Sequence, residues 1–217
     1  MAHYKNDTPQ LPYAVLLDCR SLAIKHLPLD SNKCCIMVFN SIVRHEVGGG
    51  EYGDRRKQCA EAMEVIAKAL PQAKTLRDVD RDILDSLKKD LGQTLYRRAC
   101  HVVDENARVQ AAAMALDKHD IAEFGRLMSQ SHCSARDLYE ISCEEIDFLV
   151  DRILNCDGAY GARLSGGGFG GAAVATIKPA AAESIRQKVA SDYKSKFGIE
   201  AGIYIVNPWQ GIEIHGV

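Results

Sequence analysis

Two regimes of apolar spacing divide the chain. Short runs of strand character occupy both ends, and helical spacing fills the middle. Tyr13 to Asp18 predicts a strand, Cys19 to Ser21 a turn, and Leu22 to Leu27 a returning strand that stops at Pro28. Cys34 to Asn40 is an unbroken apolar run, as expected of a strand buried on both faces. Three strands with such short links predict one antiparallel meander. From Tyr52 to Leu70 the period changes: Arg55, Cys59, Ala62, Met63 and Ile66 fall on one face of a helix that Pro71 ends. Thr75 predicts the cap of a short helix running through Val79 to Leu87, and Thr94 to about Leu116 reads as a long helix. Asp120 and Glu123 have the spacing of a capping box. The helix they open carries Ile121, Phe124, Leu127 and Met128, then Ala135 and Leu138, antiparallel to its predecessor. Ser142 to Glu145 starts another helix, through Ile153. Gly158 to Leu164, Ala172 to Ile177 and Ile199 to Val206 are strands; between the last two, a helix runs from Pro179 to Lys196 and stops at Gly198. The sheet thus draws on both ends of the chain and the helices on its middle. That is an α+β fold, an antiparallel sheet with helices packed on one face.

The stretch from Gly161 to Ile177 departs most from ordinary composition. Gly166, Gly167, Gly168, Gly170 and Gly171 are interrupted only by Phe169. So many glycines exceed what a tight hairpin needs and cost chain entropy. They permit positive φ and close approach of a backbone or ligand, and bare N–H groups can cradle a phosphate. A long flexible hairpin tip is the alternative. No Gly-Lys-Ser/Thr follows, so this is not a P-loop, and the strand after it excludes a dinucleotide fingerprint.

Composition narrows the class further. Of 217 residues, 47% are hydrophobic and 26% charged, as in a globular protein with a sizeable core. A net charge of −2 argues against nucleic acid as a partner. No apolar run is long enough to span a membrane. Eight cysteines lie scattered, without the close pairs that hold zinc, and suggest reduced thiols in the cytoplasm. Met1 to Gln10 is patternless, so residues 1–13 are expected to fray and 14–217 to form the domain.

Asn40 to Arg56 leaves a buried strand and enters a helix through three glycines, a place where ligand contacts often sit. Arg55 heads an apolar stripe and calls for a carboxylate partner or a rim position. Arg55 and Arg56 otherwise read as a solvated face paired with Glu51 or Asp54. Tyr52 reads as a core aromatic or a ligand contact. His132 beside Cys133 reads as structural rather than as a metal ligand or nucleophile.

Several segments carry a resemblance. Leu16 to Leu22, Asn40 to Cys59, Tyr96 to Val109, Leu127 to Cys143 and the glycine stretch follow one another as in the C-terminal part of the galactokinases. These belong to the GHMP small-molecule kinase family. The likeness spans about Ala14 to Ile205, and the glycine stretch resembles the family's third motif. Glu144 stands where the family usually has proline, and Leu138 where a second aspartate is common.

The resemblance implies ATP-dependent phosphorylation of galactose, with magnesium, in a larger enzyme. It assigns Tyr52 to the sugar. It assigns Gly166, Gly167, Gly168, Phe169, Gly170 and Gly171 to a loop closing on the nucleotide phosphates. No catalytic residue and no metal ligand is expected here. The family's sugar motif, phosphate loop and catalytic aspartate belong to an N-terminal domain that this sequence lacks. Met1 lies near where the aspartate motif would stand, but Ala2 and His3 follow it. The expectation is a chain inactive alone, partnered by a complementary N-terminal domain or by itself. A galactose-sensing module without catalysis is the alternative.

Overall fold

The computed structural model describes residues 12–44 and 51–206; the patternless start and the Gly48 to Gly50 triplet lie outside them. Strands β1 (Tyr13–Leu17) and β2 (Ile24–Pro28) form a separate two-stranded sheet, with Tyr13 opposite Pro28 and Leu17 opposite Ile24. Strands β3 (Cys35–Arg44), β4 (Ala159–Ser165), β5 (Gly170–Ile177) and β6 (Gly202–Val206) form an antiparallel sheet in the order β4-β5-β3-β6. The expected three-stranded meander is therefore wrong. Both edges of β3 are taken, by β5 and β6, so β2 has no edge to join. The β1–β2 hairpin packs on helices instead, with Leu27, Leu29 and Cys34 buried against Ala113, Leu116 and Ile121.

The helices are α1 (Glu51–Ala69), α2 (Arg81–Ser86), α3 (Lys88–Asp117), α4 (Ile121–Ser134), α5 (Glu144–Leu154) and α6 (Ala182–Phe197). Their limits follow local chemistry. The expected helix from the Thr75 cap through Val79 to Leu87 is split. A 3-10 turn at Leu76–Asp78 follows Thr75, and Asp80 caps α2 by accepting the Ile83 N–H at 2.8 Å. Asp120 caps α4 by accepting the Glu123 N–H at 3.0 Å. Gly92, at φ 66°, breaks α3 near its start.

Alternate residues of the sheet, among them Met37, Phe39, Leu164, Ala175 and Ile177, meet α5 and α6 through Ile146, Leu149, Ile153, Ile185 and Tyr193. This is the expected face-packed core. A second core joins α1 to α3 through Ala62, Ile66, Ala99 and Val103.

Helix α4 lies along the free edge of β4. Gly125 and Gly161 bring the two backbones together. Ser129 Oγ then accepts the Ala162 N–H and His132 Nδ1 the Leu164 N–H, each at 3.3 Å. The helix thereby covers an edge that would otherwise be open to pairing. His132 Nε2 faces Asp147 of α5 at 3.2 Å, so this buried histidine is structural, as read from the sequence.

Helix α4 does not run on through Leu138. It ends in a π-type turn, Ala135–Tyr139, closed by Glu140 at φ 55°. Ala135 enters the sheet core, whereas Leu138 packs with α1 and α3. A straight helix would hold both on one face.

His101 of α3 is buried behind this turn, 2.9 Å from Ser134 Oγ and stacked on Tyr139 at 4.5 Å. Burial first, then the Arg108 and Arg163 guanidiniums, push its pKa down from 6.5 to about 4. Below pH 6.5 the unfolded chain takes up a proton that the folded chain refuses. Stability should therefore fall as pH drops from about 6.5 towards 4, at up to about 1.4 kcal/mol per pH unit. Urea titrations of the parent and His101→Phe, compared across that window, check this; equal slopes in both proteins would contradict it.

Candidate functional site

The glycine turn and the start of α1 meet at one end of the sheet. Strand β3 approaches this end through a bulge between Asn40 and Arg44. Asn40 Oδ1 accepts the Ile42 N–H at 2.9 Å, with Ile42 at φ 61°. Fully buried Ser41 donates from Oγ to the Gly171 carbonyl at 2.8 Å, and the buried Tyr193 hydroxyl donates to the Ser41 carbonyl at 2.9 Å. The bulge thus anchors one side of the turn.

The other side is anchored by residues 139–141. The Phe169 N–H donates to the Ile141 carbonyl at 2.8 Å. A Cβ on Gly168 would lie 2.4 Å from that same oxygen, so glycine is required there. Gly166, Gly168, Phe169, Gly170 and Gly171 all have positive φ. Gly167 does not. A Cβ on Gly167 would meet nothing within 4 Å, so the domain's own packing leaves this glycine unexplained. The N–H groups of Gly166, Gly167 and Gly168 enter no turn or loop hydrogen bond among the described residues.

Residues 139–141 are themselves held by three arginines. Arg55 of α1 donates from Nε to the Tyr139 carbonyl at 2.6 Å and from a terminal nitrogen to the Glu140 carbonyl at 2.9 Å. Its guanidinium also lies 6.0 Å from the centre of the Phe169 ring. Of the two settings expected for Arg55, a carboxylate partner or a rim position, it takes the rim, bound to backbone oxygens. Arg98 of α3, only 3% exposed, reaches Gln58, the Leu138 carbonyl and Glu140. Arg97 reaches the other oxygen of Glu140 at 2.6 Å. Hydrogen bonding from Arg98 is the main cause that lowers the Glu140 pKa.

Tyr52 stands one helical turn before Arg55 and Arg56 and is 60% exposed, so the core reading of this tyrosine does not hold. Arg55 beside Phe169 places the start of α1 next to the glycine turn, and the two share a rim. Below Tyr52 on α1, the Cys59 thiol is 3.5 Å from the Tyr139 hydroxyl, and burial raises the pKa of both.

Sequence reasoning missed the Arg98–Glu140 hub. Its signal was present: Leu91, Leu95, Arg98 and Val102 share helical spacing, which puts a charge on a buried face.

The turn suits an anion in shape, since space is open where a Cβ would stand on Gly166, Gly167 and Gly171. Among the described residues no group of three or more His, Cys, Asp or Glu side chains could hold a metal.

The fold is that of a GHMP kinase C-terminal domain. The family model for the C-terminal part of GHMP kinases matches residues 112–195 of this chain. Its sequence matches galactokinases. It is 41% identical to the galactokinase of Bos taurus, over 85% of this chain and 46% of that protein. It is 39% identical to that of Thermosipho africanus, over 92% of this chain and 54% of that protein. The structure of Lactococcus lactis galactokinase complexed with galactose superposes with a TM-score of 0.83 at 28% identity. That match covers 90% of this chain and 50% of the Lactococcus chain. The chain thus spans about half the length of the curated relatives it matches.

Proposed function

We propose that this domain forms one wall of a galactose-phosphorylating cleft. Tyr52 contacts the sugar, and the turn from Gly166 to Gly171 lies against the phosphates of ATP. The observation that carries this reading is the shared rim, where an exposed tyrosine and an open glycine turn are held together through Arg55, Phe169 and Ile141. The galactose in the Lactococcus relative supports the choice of sugar.

In this reading the chain positions ligands and excludes water. ATP brings the transferable phosphoryl group and magnesium neutralises its charge; a second domain supplies the acid–base group. That domain faces the rim and the outer side of the β1–β2 hairpin, where Val15, Leu17, Leu22 and Ile24 are all exposed. Apolar side chains clustered in this way mark an interaction surface. A complementary N-terminal domain covers it in the complete enzyme, and self-association covers it otherwise. The cytoplasm is the compartment we favour, supported by eight cysteines that are all free. No helix among the described residues is long and apolar enough to cross a membrane.

The test is a galactose titration of the chain assembled with the N-terminal half of a galactokinase. Tyr52→Ala should weaken galactose binding by about 1–3 kcal/mol, the size of one lost contact, and leave folding intact. Unchanged galactose affinity would remove Tyr52 from the sugar site. Tight galactose binding without turnover would favour a sensing module instead.

A further inference from the structure

A second crevice opens beside Tyr52, on a different face of α1 from the glycine turn. Consecutive helical residues point about 100° apart, so Arg56 diverges from Arg55 and from Phe169. The crevice has a volume of about 380 Å3. Tyr52, Arg56 and Met63 line it from α1, Lys74 and Leu76 from the link that follows, and Val102 from α3.

Its charges are unusual for this neighbourhood. Arg20 pairs with Asp78, Arg77 with Asp18, and Arg97 and Arg98 with Glu140, while Arg55 is bound to two carbonyls. Lys57 faces Glu61. Arg56 and Lys74 have no side-chain hydrogen bond and no ion pair among the described residues. Asp78 in the link after α1 is matched to Arg20, and Glu61 of α1 to Lys57. Two cations with no ion-pair partner among the described residues therefore line one concave site with an apolar floor and an aromatic ring at its mouth.

We propose that this crevice binds a small phosphate dianion, free or carried on a sugar. A guanidinium fork and an ammonium together match a doubly charged phosphate better than a single carboxylate. The Tyr52 ring gives an organic body a surface to lie on. Arg56 and Lys74 have no part in the kinase reading, so the anion site stands without it; Tyr52, which that reading gives to the sugar, borders both.

Calorimetric titration of the 217-residue chain with hexose 1-phosphate, with inorganic phosphate and with neutral galactose tests this. Saturable binding of a phosphate ligand is expected. It should weaken at least about tenfold in the Arg56→Gln/Lys74→Gln double variant, with an unchanged thermal midpoint. Lys188→Gln, which removes a cation on α6, should change nothing. If Tyr52→Ala removes a preference for the sugar ester, the ester is the ligand. If free phosphate binds equally well in both proteins, the site reads the anion alone. Absence of saturable phosphate binding, or binding that survives the double substitution, overturns the proposal.

Discussion

Gly161→Ala should leave little folded protein. A Cβ at this position would stand 1.8 Å from the Gly125 carbonyl oxygen and 2.3 Å from its carbon. Both obstacles are backbone, so no rotamer change relieves them. The reverse substitution meets the same wall, because a Cβ on Gly125 would lie 2.4 Å from the Tyr160 carbonyl. Helix α4 would have to move off β4. The Ala162 and Leu164 N–H groups would then lose Ser129 and His132, at about 1–3 kcal/mol for each buried donor left unpaired. Adding the lost packing gives more than about 4 kcal/mol, a large part of an ordinary domain's stability. Gly53→Ala is the control: it sits in α1 with nothing within 4 Å of its Cβ and should stabilise by about 0.5–1 kcal/mol. Urea unfolding of the two variants measures both; a loss under about 1 kcal/mol in Gly161→Ala would refute the close contact.

The second large effect is expected from Arg98→Met. The substitution keeps the length and apolar stem of a side chain that is almost wholly buried. It removes the partner of Gln58, of the Leu138 carbonyl and of Glu140. Hydrogen bonds to a charged group are worth about 1.5–3 kcal/mol each, but Glu140 is partly exposed and regains water. A net loss of about 3 kcal/mol follows. Arg136→Met is the comparison, because its partner Asp137 is exposed and such pairs contribute about 0–1 kcal/mol. The loss should also be local in a telling way. Residues 139–141 hold the glycine turn through the Ile141 carbonyl, so the Phe169 amide should exchange faster in Arg98→Met. Equal destabilisation by the two arginine variants, with Phe169 exchange unchanged, would show that the hub does not support the turn.

Much of this architecture was legible because it follows from spacing and composition. The unbroken apolar run after Cys34 did become the central strand, and Asp120 did cap α4. The hairpin's partner was not legible: strand character at Tyr13 to Pro28 says nothing about which edge is free, and β5 and β6 arrive more than a hundred residues later. The turn after α4 was missed because Ala135 and Leu138 keep helical spacing while they enter different cores. The glycine stretch announced itself, yet which glycines need positive φ depends on Ile141 and Ser41, which are distant in sequence. Tyr52 shows the limit most clearly. Residue type alone left core and ligand contact open; the resemblance favoured the ligand contact, and its exposure beside Arg55 set the core aside.

The central claim is that this rim completes a galactose-phosphorylating site with a second domain. Galactose-dependent ADP release tests it most directly, measured for the 217-residue chain alone, for the N-terminal half of a galactokinase alone, and for the two mixed. The account predicts no turnover from either part and turnover from the mixture, at a rate within the roughly 1–100 per second of ordinary kinases if assembly is complete. It also predicts that Gly167→Val abolishes the turnover of the mixture without unfolding the chain, since its side chain would fill open space in the turn. Turnover by the chain alone, or a mixture as active with Gly167→Val as without it, would contradict the account.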